Sequence, residues 1–120
     1  MPYIVGTSLP STLEMSAGSV RSSISTTTST SESVLISVPK DDFRSVNYQI
    51  QAVQGTNYNT TTINVVHDGT NTFMSEFGTI NEPVGISTFS TDIASGNLRL
   101  LGYPASTSST TFKIVFTAIN

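Results

Sequence analysis

His67 is the single histidine in the chain, so it is where proton transfer would be looked for first. Asp68 follows it directly, and on an extended strand adjacent side chains leave opposite faces. A Ser-His-Asp relay needs a base within hydrogen-bond reach of one particular serine, and no Gly-x-Ser-x-Gly elbow presents one. His67 therefore reads as a polar residue at a strand end before a turn. A zinc site needs three or four nitrogen or sulfur ligands, which one histidine and no cysteine cannot supply. Three copies of His67 meeting on a threefold axis would be needed. Calcium needs clustered oxygen ligands, and only Asp41-Asp42 and Asp68 with Glu76 come near that. Asp41-Asp42 follows Pro39-Lys40, a pattern of a solvated turn. Glu76 and Glu82 could form a carboxylate pair for glycoside hydrolysis, but nothing else marks them. The glycines build no phosphate cradle. Asn59-Thr60-Thr61 fits a glycosylation sequon that has no secretion signal to go with it. The expectation is no catalytic, cofactor-binding or metal-binding residue, no cofactor, and no enzyme. Tyr48, Tyr58 and Tyr103 could offer rings to a sugar, although a tyrosine on an apolar strand face usually belongs to the core with its hydroxyl at the rim. Tyr58 and Tyr103 are kept as glycan-binding candidates.

The scaffold for these residues is poor in charge. Charged residues make up 11% and hydrophobic ones 37% of the 120 residues, both below the usual shares. Serine and threonine fill the gap at roughly a third of the chain, and threonine is β-branched and suited to strands. The net charge is −3, and Arg21, Lys40, Arg44, Arg99 and Lys113 are scattered. Neutralising phosphates takes clustered cations, so a nucleic-acid partner is not expected. Neither a polybasic anchor nor an apolar stretch of about 20 residues points to a membrane. The first residues lack a basic start and an apolar run of the secretory kind, which places synthesis in the cytoplasm.

From Ser33 onward the pattern alternates with period 2. Val34, Ile36 and Val38 form one strand, ended by Pro39. Val46, Tyr48, Ile50 and Ala52 alternate with Ser45, Asn47, Gln49 and Gln51, apolar on one face and amide-rich on the other. Tyr58 to His67 follows, then Asp68-Gly69, a type I′ hairpin signal, then Asn71 to Phe77. Further strands surround Phe89, run from Leu98 to Tyr103 across the Ser95-Gly96-Asn97 turn, and close with Thr110 to Ile119. About seven strands with regular turns predict an all-β antiparallel β-sandwich over residues 33–120. Residues 1–32 differ. Ser22 to Ser33 is a Ser/Thr tract broken only by Ile24 and Glu32, with too little apolar surface to offset its ordering entropy. This segment reads as an extended N-terminal arm whose apolar points (Tyr3, Ile4, Val5, Leu13, Met15, Val20 and Ile24) grip a partner.

Several short motifs carry a resemblance. They are Phe43-Arg44-Ser45-Val46, Ile50 to Tyr58, Val66-His67-Asp68-Gly69-Thr70, Glu76-Phe77-Gly78-Thr79, Leu98-Arg99-Leu100-Leu101 and Phe112-Lys113-Ile114-Val115. In this order Asp42 to Ile119 resembles a module in structural proteins of tailed phages that infect marine cyanobacteria. The resemblance implies a virion structural protein and offers no catalytic residues. With its own Met and one module's length, the chain is expected to lack the attachment domain and shaft of a fibre. It is therefore expected to be a capsid decoration or cement subunit that binds the major capsid protein or other virion proteins and stabilises the assembled shell. Virion symmetry suggests a homo-oligomer, a trimer. The alternative is a receptor- or glycan-binding module of a tail fibre or other virion appendage.

Overall fold

Alternation along the chain requires one flank of each strand to leave water while the other stays wet. The computed structural model describes residues 12–120 and meets that requirement with strands alone. They are β1 (Thr12–Met15), β2 (Gly18–Thr27), β3 (Ser33–Pro39), β4 (Ser45–Gln54), β5 (Asn57–His67), β6 (Thr72–Glu82), β7 (Ser87–Ala94), β8 (Asn97–Pro104) and β9 (Thr110–Ile119). Two antiparallel sheets result: a six-stranded sheet in the order β1-β2-β9-β4-β5-β6 and a three-stranded sheet in the order β3-β8-β7. The fold is an all-β sandwich of nine strands rather than about seven.

The core lies between the sheets. The larger sheet contributes Tyr48, Ile50, Ile63, Phe112, Ile114 and Phe116, and the smaller contributes Ile36, Val38, Leu98 and Leu100, all buried. Phe89 meets the edge of Phe112 at 6.0 Å between ring centroids, and Tyr48 tilts against Phe116 at 5.5 Å, within the range aromatic pairs prefer. A bulge in β3 between Val34 and Ile36 shifts the alternation. Leu35 and Ile36 are therefore both buried while Val34 faces outward, unlike the simple Val34-Ile36-Val38 stripe.

The two added strands come from the segment expected to be a free arm. β2 lies antiparallel to β9 along its whole length, from Gly18 opposite Ile119 to Thr27 opposite Thr110. β1 then folds back on β2, Met15 opposite Gly18. The physical reason is the ladder. Without β2, β9 would expose a row of unpaired N–H and C=O groups, and a Ser/Thr strand satisfies them without needing apolar side chains. Arg21 adds a cation–π contact, 4.8 Å above the Phe43 ring. Of the expected gripping residues, Leu13, Met15 and Ile24 are exposed and Val20 is half-buried, all on strands of the chain's own sheet. Tyr3, Ile4 and Val5 lie outside the described residues.

The turns follow their residues. Ser95 and Gly96 both adopt positive φ, 52° and 79°, as a type I′ turn requires. At Asp68-Gly69 only Gly69 does so. His67 pairs with Thr72, leaving a four-residue loop instead of a two-residue turn. The Asp68 carboxylate accepts the N–H groups of Thr70 and Asn71 at 2.9 and 2.7 Å, and those bonds hold its pKa below the ordinary value.

Two expected outcomes test this architecture. A Cβ on Gly18 would sit 2.1 Å from the Ala118 carbonyl oxygen, so Gly18→Ala should force β2 away from β9 and cost at least ~2 kcal/mol. Amide exchange should accelerate across β2 while β4 and β5 stay protected. The Tyr48 hydroxyl is buried with no hydrogen-bond partner among the described residues, and burial pushes its phenol well above the usual value. Tyr48→Phe should therefore raise stability by about 1 kcal/mol in urea titrations. The folded phenol stays neutral where the unfolded one ionises, near pH 10. Stability should thus hold below that pH and fall as pH rises above it, less steeply in Tyr48→Phe.

Candidate functional site

The outer face of the larger sheet points away from the core, and its last strand is exposed beyond Thr72. Residues opposite one another in an antiparallel ladder share a face, and the register lays the outward side chains in rows across six strands. At one end Met15, Ile119, Val66 and Phe73 form a row with Gly18 and Ser45 between them. The next row runs Leu13, Val20, Thr117, Asn47, Asn64 and Ser75. Below it come Val115, Gln49, Thr62 and Phe77, then Lys113, Gln51, Thr60 and Ile80. Tyr58 closes the far end beside Val53 and Glu82.

These rows form two shallow grooves. One, of about 500 Å³, lies among Val66, Phe73, Ile119 and the Asn47–Asn64 pair, whose side-chain amides are hydrogen-bonded to each other. The other, of about 320 Å³, lies among Gln49, Gln51, Thr60, Thr62 and Lys113. The second is chemically a bed of amides and hydroxyls, each able to donate or accept without carrying charge. Phe77, half exposed at the β6 end of the Gln49–Thr62 row, offers an apolar ring. Such a surface suits a polyhydroxyl ligand, whose O–H groups need partners and whose C–H faces need an apolar neighbour. These residues were not singled out from the sequence as a site. The signal was the amide-rich flank of β4, which matched the apolar flank residue for residue.

The structure separates the tyrosine candidates. Tyr58 is exposed on the outer face of the six-stranded sheet. Tyr103 stands on the outer face of the three-stranded one, the opposite side of the sandwich, so the two build no common platform. The Tyr103 hydroxyl lies 3.0 Å from Ser90 Oγ and donates to Glu32 Oε1 at 3.2 Å. Beside it Arg99 holds Asp92 through two bonds of 2.7 and 2.6 Å, and these lower the Asp92 pKa. Tyr48 belongs to the core.

The other sequence candidates resolve into structural roles. His67 is buried; its Nδ1 accepts the Gly69 N–H at 3.0 Å, which leaves Nε2 to donate to the Phe43 carbonyl at 2.6 Å. Arg44 reinforces the same junction by donating to the His67 carbonyl at 2.9 Å. Asn59 of the sequon is buried, accepting the Ile86 N–H at 2.6 Å and donating to the Val84 carbonyl at 2.9 Å. Glu76 pairs with Ile63 on the inward flank of β6 and Glu82 with Tyr58 on the outward flank, so the two carboxylates cannot face one another. Among the described residues no cluster of three or more potential metal ligands occurs.

No family model matches the chain, and no curated protein matches it. Solved structures do. The tailspike protein gp49 of Acinetobacter baumannii bacteriophage Fri1, a capsular polysaccharide depolymerase, matches with a TM-score of 0.58 and 17% identity over 93% of this chain and 20% of that one. The tailspike protein of Acinetobacter phage vB_ApiP_P1 matches with a TM-score of 0.51 and 18% identity over 100% of this chain and 25% of that one. The chain thus has the fold of a module found in phage tailspike proteins and spans about a fifth to a quarter of their length. The expectation of a chain apart from enzymes is overturned, because the Fri1 protein that shares its fold is a depolymerase. The sequence missed this by searching for catalytic residues within a single module.

His67 should prove to be a clasp. His67→Ala removes both ring bonds and opens a buried cavity, and should cost about 2–4 kcal/mol in denaturant unfolding. The Gly69 amide should lose its protection from exchange.

Proposed function

We propose that the chain is a module of a bacteriophage virion appendage, of the tailspike or tail-fibre kind, and that its amide-and-hydroxyl groove holds a saccharide of the bacterial surface. The groove among Gln49, Gln51, Thr60 and Thr62 carries this reading, because it gathers uncharged donors and acceptors on an exposed sheet face. The shared fold supports the appendage over the capsid shell, since both solved proteins named above are tailspikes. One of them is a capsular polysaccharide depolymerase, which makes a capsular glycan the first ligand class to try. Gln49 and Gln51 would meet sugar hydroxyls, Phe77 a sugar C–H face, and Lys113 an acidic substituent where the glycan carries one. Tyr103 is left out of this site, its hydroxyl being held by Ser90 and Glu32.

Titration against a panel of capsular oligosaccharides tests the reading. The wild-type chain should bind at least one. Gln49→Ala with Gln51→Ala should weaken that binding about tenfold to a hundredfold, at about 1 kcal/mol per lost hydrogen bond, with the circular dichroism spectrum unchanged. An unaltered affinity in the double variant, or no binding across the panel, would remove the saccharide from this groove.

A further inference from the structure

The chain has five cations, and all but one are engaged. Arg21 reaches Glu14 at 3.5 Å, Lys40 reaches Asp41 at 3.1 Å and Arg99 holds Asp92 at 2.6 Å. Arg44 donates to the His67 carbonyl at 2.9 Å. Lys113 has neither an ion-pair nor a hydrogen-bond partner among the described residues. It is exposed and lines the groove of Gln49, Gln51, Thr60 and Thr62.

Its surroundings leave the charge uncompensated. Gln51 stands directly opposite it on β4 and Ile24 opposite it on β2. Its outward neighbours along β9 are Thr111 and Val115. Glu82 is the one carboxylate at an outward position on the described strands of this sheet, beside Tyr58. It lies three strands and one row away, roughly 16 Å at ~4.8 Å per strand and ~3.4 Å per residue. That is about two Debye lengths at physiological salt. Glu14 and Glu76 sit on the inward flank, and Glu32 and Asp92 belong to the Arg99 network of the smaller sheet. Asp41, Asp42 and Asp68 are in loops at the other end of β4 and β5.

Desolvation turns this lone charge into a filter. A saccharide that fills the groove displaces water from the ammonium. A neutral sugar returns only hydroxyl oxygens, whereas a carboxylate returns a charge-assisted bond of about twice the strength. The second carboxylate oxygen can accept the side-chain N–H of Gln51, because opposed residues hold their Cβ atoms only about 5 Å apart. We infer that the groove selects an acidic saccharide, one whose sugar carries a carboxylate, and that Lys113 and Gln51 together hold that group. This rests on the saccharide reading above and adds what the saccharide must carry. The net charge of −3 provides no diffuse positive field to gather anions, so the preference comes from the local pair. One cation matches one anionic group and not a run of phosphates.

The experiment is calorimetric titration of the full 120-residue chain with an acidic capsular oligosaccharide and with the same oligosaccharide after its carboxyl groups are reduced to alcohols. The acidic form should bind about tenfold tighter, and the difference should shrink as salt rises from about 50 to 500 mM. Lys113→Gln should abolish the difference and Lys113→Arg should keep it, both with the circular dichroism spectrum and unfolding midpoint in place. Equal affinity of the wild-type chain for the two forms would overturn the inference, as would a preference that persists in Lys113→Gln. The saccharide reading survives either result where Gln49→Ala with Gln51→Ala still weakens both forms. Absence of binding to every saccharide, acidic or reduced, would overturn both.

Discussion

Everything in this molecule depends on one layer of side chains, in which Phe112, Ile114 and Phe116 of β9 and Tyr48 and Ile50 of β4 pack against Leu98 and Leu100 of β8. These strands are central to their sheets, so their backbone groups are paired on both sides. The layer is narrow. Three strands roof six, and the roof touches the last strand, β6, at Thr72, whose hydroxyl donates to the Thr91 carbonyl of β7 at 3.0 Å. That difference in width leaves β6 exposed on both flanks beyond Thr72.

The open face is zoned by chemistry, and the zones follow from strand register. Apolar residues collect where the ends of β1, β9, β5 and β6 come into line, and amides and hydroxyls collect where β4 and β5 run side by side. No single strand carries either zone. Asn47, Gln49 and Gln51 look like ordinary solvated positions until the register sets Asn64, Thr62 and Thr60 beside them. Lys113 and Glu82 are the charged side chains in these rows, and the Arg99–Asp92 pair lies on the far side.

The strands after Ser33 were legible because each combines alternation with a turn signal, and β4 and β9 were clearest because large apolar residues mark one flank throughout. β2 was not legible. Its inward residues are Ser19, Arg21, Ser23, Ser25 and Thr27, and a strand whose stability comes from its backbone ladder leaves no hydropathy pattern. The site was only half visible for the same reason. The amide flank of β4 could be read, but its neighbours on β5 and β9 are set by pairing between distant residues. Tyr58 and Tyr103, both kept as candidates, face opposite ways because they belong to different sheets, which strand order alone does not reveal. The expectation about enzymes was drawn from the residues of one module, and they carry no sign that a depolymerase shares the fold.

The adjacency of β2 and β9 bears on mechanics. Gly18, where the chain enters β2, lies opposite Ile119, where it leaves β9. Tension applied through the two ends of the domain would therefore act across these strands rather than along them. Under such a pull β1 peels from β2 first, starting at Thr12, and the β2–β9 bonds then open one pair at a time from the Gly18 end, like a zipper, instead of resisting together in shear. The sandwich would yield in small steps at low force, with β4, β5 and the packed layer beneath them still whole.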